Sequence, residues 1–388
     1  MRFAARTEWN TEENELARAH RQRVAAGAPV ADLTASNPTR CGFFYSPDLL
    51  QELTRAESLI YDPQPLGLVS ARRAVCQYYR GHKLELDPAQ LVLTTSTSEA
   101  YSFLFRLLCD PGDELVICQP SYPLFDYLAT LCDVRLKAAP LIYDHGWQID
   151  PESIRRVITP RTRAIVVVHP NNPTGHYTKA WERAELGRIC REHRLALIVD
   201  EVFLDFAWPG AAPESFAAGL EGVGVFVVSG LSKIAALPQM KAAWIVAAGK
   251  LSREAMPRLE IVADTYLSMN APVQAALPAW LGSAGSIQEQ IRTRVQANLA
   301  VLDAVLKQAP AVERLAADGG WYAMLRIPAI APDERTCLQL LERGVWVHPG
   351  FFFGLPEAGW LVVSLLAPEA EFAQGAALLA DYFAQNLG

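Results

Sequence analysis

Short apolar runs that are hydrophobic at almost every position recur through the first two thirds of the chain. Such unbroken runs are typical of strands buried on both faces, and parallel sheets are the ones covered on both faces. Helical stretches separate several runs, the clearest at 178–194, so the alternation predicts an α/β fold with a mostly parallel sheet covered by helices. The seven predicted strands are 91–94, 114–117, 133–138, 164–169, 195–200, 225–229 and 243–247.

A different pattern begins after about residue 270. Ser286 and Glu289 have the spacing of a capping box, which predicts that a helix begins there. Three shorter apolar runs, at 321–327, 345–347 and 361–366, predict further strands with helices between and after them. We therefore expect a second, smaller α+β domain. Its long helix would carry one apolar stripe, formed by Ile287, Ile291, Val295, Leu299, Leu302 and Leu306.

Composition excludes several classes of protein. The 388 residues are 51% hydrophobic and 20% charged, as in globular proteins, and the net charge of −7 argues against a nucleic-acid-binding surface. Its apolar runs reach about half a dozen residues, whereas a membrane-spanning helix needs about 20. The seven cysteines are odd in number and lack CxxC spacing, which predicts reduced thiols in a cytoplasm and no structural zinc site.

Four polar segments each follow a predicted strand. Ligands of open α/β sheets bind beyond the carboxyl ends of the strands, so these segments are expected to meet at one binding site. They are 94–103, 169–178, 200–206 and 229–244.

Two of these segments carry ionisable side chains. Lys233 follows Ser232 directly after a buried strand. A desolvated lysine favours its neutral form, and a neutral amine can form a Schiff base with an aldehyde, although a lysine on a surface loop is the commoner case. Asp200 ends another buried strand, where a carboxylate can meet a ligand cation or simply cap a helix.

The other two segments carry polar and turn-forming residues. Thr97 and Ser98 lie between a strand and a helix, and a helix N-terminus holds a phosphate well. Ordinary N-capping by Ser98 explains the same residues. The Asn-Pro and Thr-Gly pairs of 169–178 indicate, at the least, a tight loop.

Taken together, the segments resemble those of the fold-type I, pyridoxal-phosphate (PLP) dependent aminotransferases of class I/II, the aspartate-aminotransferase-like family. The match of NNPTG at 171–175, DEV at 200–202 and SK at 232–233, in that order, is highly specific, and the resemblance covers nearly the whole chain. Other matching segments are 36-SNP-38, 61-YDPQPLG-67, 95-TSTSEA-100, 120-PSYP-123 and 348-HPGFFFG-354.

The resemblance implies a PLP cofactor and assigns two catalytic residues. Lys233 matches the lysine that forms the Schiff base and shuttles the substrate proton, and Asp200 matches the carboxylate that faces the pyridine nitrogen. Asn172 matches the asparagine that donates to the O3′ oxygen of the ring, and Tyr122 matches the aromatic residue stacked on the ring face.

Further residues match the positions that hold the cofactor phosphate. Thr97, Ser98 and Ser232 correspond to phosphate-binding positions, and Tyr61 corresponds to a tyrosine that reaches the phosphate of the neighbouring subunit. The resemblance therefore implies a homodimer with a shared active site.

Three departures from the family pattern concern the cofactor. Lys241 stands where the family has a phosphate-binding arginine, which keeps the charge and loses the bidentate fork. Gly230 replaces a frequent phosphate-binding serine, and Phe203 replaces a tyrosine whose hydroxyl donates to O3′. We expect the loss of that donor to raise the pKa of the Schiff base, which an absorbance titration would measure.

A fourth departure concerns the substrate. Val362 stands where the family has the arginine that binds the substrate α-carboxylate. Arg326 and Arg40 are alternative carboxylate ligands by sequence order alone, although a solvated surface arginine is the commoner case for both. The substrate can alternatively be an amine without an α-carboxylate.

The predicted function is a PLP-dependent aminotransferase that moves an amino group between an amino acid or related amine and a 2-oxo acid. The alternatives are a PLP-dependent lyase, decarboxylase or cyclase of the same fold, or a non-catalytic PLP-binding protein. The resemblance also implies a large PLP-binding domain at 40–270 and a small domain built from 1–39 and 271–388.

Overall fold

The computed structural model of the chain describes residues 1–267 and 269–387. Its strands are β1 (Ala31–Asp32), β2 (Leu91–Thr94), β3 (Glu114–Gln119), β4 (Arg135–Tyr143), β5 (Trp147–Ile149), β6 (Thr162–Val168), β7 (Ala196–Asp200), β8 (Val225–Gly230), β9 (Ala243–Ala248), β10 (Glu313–Arg314), β11 (Tyr322–Arg326), β12 (Val345–Trp346), β13 (His348–Pro349) and β14 (Trp360–Ser364). Its helices are α1 (Glu15–Ala25), α2 (Val69–Gly81), α3 (Thr97–Leu108), α4 (Phe125–Leu131), α5 (Pro151–Val157), α6 (Ala180–His193), α7 (Leu231–Ile234), α8 (Lys250–Arg253), α9 (Met256–Tyr266), α10 (Ala271–Val305), α11 (Asp333–Glu342) and α12 (Glu369–Leu387). Short 3₁₀ helices join several of these elements, among them Pro38–Arg40 and Ala56–Leu59.

One large sheet contains all seven strands predicted from the apolar runs. Its order is β2–β9–β8–β7–β6–β3–β4–β5. The pairs from β4 through β3, β6 and β7 to β8 are parallel, and β9 runs antiparallel to both of its neighbours. The central strands are buried along their length, because helices cover both faces. The α/β prediction with a mostly parallel sheet is confirmed.

The sheet has eight strands rather than the seven expected. The additional strand is β5, which turns back after His145 and pairs antiparallel with the end of β4. Its three residues are too few to produce a recognisable apolar run, although Trp147 and Ile149 both bury their side chains. A strand of this length is recognised only by its hydrogen-bonded pairing with β4.

Two smaller sheets join the two ends of the chain. β10, β11, β14 and β13 form an antiparallel sheet, and β1 pairs in parallel with β12, with Ala31 opposite Val345. The chain beyond β1 is held against β14 as well, since the Ser364 N–H donates to the Leu33 carbonyl at 2.6 Å. The N-terminal segment is therefore packed against elements more than 300 residues later.

The long helix begins sixteen residues earlier than the capping-box spacing suggests. α10 starts at Ala271, where the Asn270 side chain accepts from the Val273 N–H at 3.1 Å, and it continues to Val305 without interruption. Ser286 and Glu289 lie in its middle and do not cap it. The prediction of a start at Ser286 was wrong because the buried stripe continues upstream. Its upstream members are Val273, Leu277, Trp280 and Ala284.

No helix within 1–267 and 269–387 is both long enough and apolar enough to cross a membrane.

Capping of α10 provides a test of its true start. Asn270→Ala removes the side-chain acceptor of the first turn and should lower the free energy of unfolding by about 1 kcal/mol. Ser286→Ala, at an exposed position inside the helix, is the matched control and should be neutral or slightly stabilising, because alanine is the better helix former. Urea unfolding followed by circular dichroism measures both. Destabilisation by Ser286→Ala alone would contradict this assignment.

Candidate active site

The site lies at the carboxyl ends of the central strands. The four polar segments predicted from the sequence follow β2, β6, β7 and β8, and the parallel pairing of the inner strands turns their exits toward one edge of the sheet.

Asp200 is the last residue of β7, and its side chain is buried. One carboxylate oxygen accepts from the Val202 N–H at 3.0 Å, and the other accepts from the Tyr101 hydroxyl at 2.8 Å. Burial raises the pKa of Asp200 to about 6, against the lowering effects of these two donors and of Lys233. The carboxylate is therefore held in a fixed position and is ionised at neutral pH.

Lys233 lies in α7, immediately after β8. Its Nζ is 4.8 Å from the centroid of the Trp321 ring and 5.3 Å from that of Phe203. Burial lowers the pKa of Lys233 to about 8, while the charge of Asp200 opposes that shift. At pH 7 about a tenth of this amine would be neutral, far more than for a lysine in water, and a nucleophilic lysine requires the neutral form.

Asn172 lies in the loop after β6, which folds back on itself. The Asn171 N–H donates to the His176 carbonyl and the Gly175 N–H donates to the Asn171 carbonyl, both at 2.8 Å. Gly175 has a φ of +69°, and a Cβ there would lie 2.4 Å from the Gly319 carbonyl oxygen. Asn172 is buried, and its Oδ1 has no hydrogen-bond partner among the described residues. Its amide therefore has capacity left for a ligand.

Thr97 and Ser98 are the first two residues of α3. The N-cap is Ser96, whose hydroxyl accepts from the Glu99 N–H at 3.1 Å, so capping by Ser98 is not what the structure contains. The first N–H groups of a helix have no partner within it, and both hydroxyls are only partly buried. This end of α3 has the chemistry of an anion site.

Ser232 lies beside Lys233 in α7 and is partly buried, whereas Lys241 is exposed and has a φ of +52°. Gly230 has a structural reason for lacking a side chain. A Cβ there would lie 2.9 Å from the Ala242 carbonyl oxygen, so a serine does not fit without a backbone shift. The departure at Gly230 therefore follows from the close pairing of β8 with β9.

Tyr122 and Tyr61 present aromatic rings to solvent in this single chain. Tyr122, in the loop after β3, is 46% exposed, and burial followed by the charge of Asp200 raises its pKa. Tyr61 follows the 3₁₀ helix Ala56–Leu59 and is 76% exposed. The structure brings Tyr122 near Asp200 and leaves Tyr61 on the surface.

Phe203 lies inside the site as an apolar wall. Its ring meets Trp321 edge-on, with the centroids 5.1 Å apart, and meets Tyr322 at 6.4 Å. The phenylalanine therefore packs against two further aromatic residues from the C-terminal part of the chain.

Sequence reasoning missed three site residues. Tyr101 donates to Asp200, Trp321 faces the Lys233 amine, and Tyr322 interacts with Ser36 through its hydroxyl, with a pKa that burial raises to about 12. Tyr101 lies one helical turn after Thr97, and this spacing is the only sequence signal for it. The two aromatic residues at 321 and 322 lie in an apolar run that predicts only a strand.

The two proposed alternative arginines do not contact the predicted site residues. Arg326 approaches Glu313 at 3.4 Å, and its guanidinium lies about 5 Å over the rings of Tyr143 and Trp360. Arg40 is exposed at the end of a 3₁₀ helix. Both positions fit the surface interpretation better than the carboxylate-binding one.

The structure brings the lysine, the carboxylate and the asparagine together at one sheet edge, the arrangement that the resemblance predicts for an amino-group-transferring enzyme. The family model for aminotransferase class I and II matches residues 49–376. The chain therefore belongs to the family of class I and II aminotransferases, whose members use PLP.

Similar proteins agree with this family. The glutamate-pyruvate aminotransferase AlaA of Escherichia coli K12 is 29% identical over 348 residues, which cover 85% of this chain and 84% of that one. The aspartate/prephenate aminotransferase of Thermus thermophilus is 29% identical over 343 residues, covering 84% of each. The structure of an alanine aminotransferase from Pyrococcus furiosus superposes with a TM-score of 0.89 at 24% identity, over 99% of this chain and 100% of that one. The chain is an aminotransferase.

The residues present fit PLP. The side-chain amide of buried Asn172 has an unpartnered oxygen, so its rotation to present the N–H group to a ring oxygen breaks no hydrogen bond of that atom, and the carboxylate of Asp200 faces a site whose other charge is Lys233. The α3 N-terminus, with Thr97 and Ser98, suits a phosphate.

One ion-pair network supports the loop that carries Asn172. Asp318 accepts from the Tyr177 N–H at 3.2 Å and from Lys179, and it lies 3.7 Å from Nδ1 of His176. Burial alone would raise the pKa of Asp318, but the nearby His176 ring and the hydrogen bond from Lys179 lower it to about 2. The ionised carboxylate thus ties this loop to the segment before β11.

Removing the charge of Asp318 should lower the free energy of unfolding in a pH-dependent way. A carboxyl whose pKa falls from about 4 to about 2 on folding stabilises the protein above pH 4 and loses that effect as the pH falls toward 2. Asp318→Asn should therefore cost about 1–2 kcal/mol at pH 7, after allowance for solvent screening, and the difference from wild type should vanish by about pH 2. Urea unfolding at a series of pH values measures it.

Glu313→Gln, which removes the exposed partner of Arg326, is the control and should change stability by less than about 0.5 kcal/mol at any pH. A pH-independent loss in Asp318→Asn would show that the carboxylate's charge is not what matters.

Proposed function

We propose that this chain binds PLP at the carboxyl edge of the large sheet and uses Lys233 and Asp200 as its catalytic residues. The reaction would move an amino group between an amino acid or related amine and a 2-oxo acid. The observation that carries the proposal is the convergence of Asn172, Asp200 and Lys233 at the carboxyl ends of the parallel strands β6, β7 and β8, where burial also lowers the pKa of the lysine to about 8.

When bound, PLP carries the amino group and acts as the electron sink of the reaction. Lys233 would supply the amine that anchors the cofactor and, once released, move a proton at its Nζ. Asp200 would hold a negative charge against the pyridine nitrogen. Asn172 would orient the ring through its amide, and Tyr122 would cover one ring face.

The cofactor phosphate would be held by two groups of donors. Thr97 and Ser98 offer the helix N-terminus, and Ser232 with Lys241 offers a hydroxyl and a positive charge. Lysine binds phosphate as a point charge without the fixed fork of arginine. Phe203 would contribute apolar contact and no hydrogen bond to the ring oxygen.

The role of Lys233 is testable by substitution. Lys233→Ala should abolish turnover and the visible absorbance of lysine-bound PLP, because no other amine takes its place. Lys307→Ala, at an exposed position, is the control and should retain both. Turnover of Lys233→Ala at the wild-type rate would refute the assignment.

The donor is proposed to be bound without an arginine for its carboxylate. Val362 is fully buried in β14, opposite Met324 and His348 on its neighbouring strands, so its position is apolar. This observation favours an amine or another donor in which the carboxylate is not the main recognition element.

Matched pairs of donors test this preference. A charge-assisted hydrogen bond is worth about 1.5–3 kcal/mol, or roughly 10–150-fold in binding. If no arginine binds the carboxylate, kcat/KM for an α-amino acid should exceed kcat/KM for the corresponding amine without the carboxylate by less than about tenfold. Phenylalanine with phenethylamine, and alanine with ethylamine, are suitable pairs. A preference of more than a hundredfold for the amino acids would contradict the proposal.

We further propose a homodimer with shared active sites. Three consecutive large side chains, Leu59, Ile60 and Tyr61, are 91%, 65% and 76% exposed, and such an apolar surface is typical of an interface. Tyr61 would then reach the phosphate site of the second subunit. Sedimentation should give twice the mass of the chain, and Ile60→Asp should lower both the mass and PLP affinity. A wild-type monomer with full PLP affinity would contradict this.

The domain division and the cellular location are also proposals. The parallel pairing of β1 with β12 supports a small domain built from 1–39 and 271–388 beside a PLP-binding domain at 40–270, which limited proteolysis would test. All seven cysteines have free thiols, which supports a cytoplasmic location, testable by cell fractionation.

A further inference from the structure

The hydroxyl of Tyr101 makes a direct hydrogen bond with the carboxylate of Asp200. The two oxygen atoms are 2.8 Å apart, and both side chains are buried. The second carboxylate oxygen accepts from the Val202 N–H at 3.0 Å. An ionised carboxylate offers about four acceptor sites, so these two donors leave capacity for a third.

Packing fixes the position of this hydroxyl. The Tyr101 ring meets Phe125 edge-on at 5.0 Å and Phe105 at 5.8 Å, and only 3% of the side chain is exposed. Burial, and next the charge of Asp200, raises the pKa of Tyr101 well above its usual value. The phenol therefore keeps its proton and remains a donor to Asp200 across the working range of pH.

Three elements bring titratable groups to face Asp200. Tyr101 comes from α3, Tyr122 comes from the loop after β3, and Lys233 comes from α7. Lys233 is the cation in this set, and its own pKa is lowered by burial. Because burial works against ionisation of Asp200, the fixed hydrogen-bond donors are needed to keep the carboxylate charged.

We propose that Tyr101 is a positioning residue that keeps the Asp200 carboxylate ionised and aimed at the pyridine nitrogen of PLP. This rests on the proposed function, since it concerns the same cofactor site. Tyr101 acts through Asp200 and does not touch the substrate. A merely structural role, in which the phenol only satisfies a buried acceptor, predicts different results in the experiment that follows.

The experiment compares two cofactors that differ at one atom. In 1-deaza-PLP the pyridine nitrogen is replaced by a carbon, so the analogue cannot receive the interaction from Asp200. Dissociation constants of PLP and of 1-deaza-PLP are measured by absorbance titration of the cofactor-free enzyme, for wild type and for Tyr101→Phe. Tyr101→Phe should raise the dissociation constant of PLP by about tenfold and that of 1-deaza-PLP by less than about threefold.

The pH dependence gives a second readout. Removing a donor to the ionised carboxylate raises the pKa of Asp200, so PLP affinity should begin to fall at a higher pH on the acidic side, by about one unit. Tyr79→Phe removes another buried tyrosine hydroxyl, one that lies 3.4 Å from the Trp244 indole nitrogen, and it should leave both readouts unchanged.

A fluorinated tyrosine at 101 covers the case in which the phenylalanine variant does not fold. 3-Fluorotyrosine has nearly the same shape and is a stronger hydrogen-bond donor. The pH at which PLP affinity begins to fall on the acidic side should therefore be lower than in wild type. Equal weakening of PLP and 1-deaza-PLP, or an unmoved pH limb, would overturn the role of Tyr101. Failure of the wild-type enzyme to bind PLP at all would instead overturn the proposed function.

Discussion

The site depends on keeping one carboxylate charged where little water reaches it. An ionised carboxylate in a low-dielectric interior is costly unless fixed donors and an opposite charge surround it. Asp200 has the Val202 N–H, the Tyr101 hydroxyl and the Lys233 amine around it. Since these groups come from separate elements, the packing of α3 and α7 at the sheet edge is tied to this single charge.

The sheet topology explains why those elements can meet. β6, β7 and β8 are parallel neighbours, so their carboxyl ends deliver Asn172, Asp200 and Lys233 to one edge without further adjustment. α3 packs on β8 and β9, which turns its N-terminus and Tyr101 toward the same edge. Burial raises the pKa of Asp200 and lowers that of Lys233, and the charge of each group opposes the shift of the other. The two pKa values are about 6 and about 8.

Much of this arrangement could be predicted from sequence, because its signals are local. Buried parallel strands are hydrophobic at every position, and the motif residues follow them directly. The sheet and the positions of Asp200 and Lys233 at its edge could therefore be predicted from the sequence. Tyr101 and Trp321 were not, since their roles arise only when α3 and the segment before β11 pack against β7 and α7. The three-residue strand β5 gave no local signal.

The start of α10 shows how a local signal can mislead. Serine and glutamate three positions apart also occur inside exposed helix faces, and only the buried residues upstream reveal that the helix has already begun. Asn270, the true cap, precedes a Pro at the second helical position, a combination that is itself a start signal.

Three departures from the family pattern, at Gly230, Phe203 and Val362, lie in tightly packed or apolar surroundings. Gly230 leaves no room for a side chain, and the Phe203 ring packs against Trp321 near the Lys233 amine. Val362 lies opposite His348, whose pKa burial lowers to about 4, so that imidazole is neutral at physiological pH. An arginine at 362 would bring a cation into an interior that offers it no matching anion on the facing strands, because its cross-strand neighbours are Met324 and neutral His348. The loss of the arginine therefore fits its surroundings.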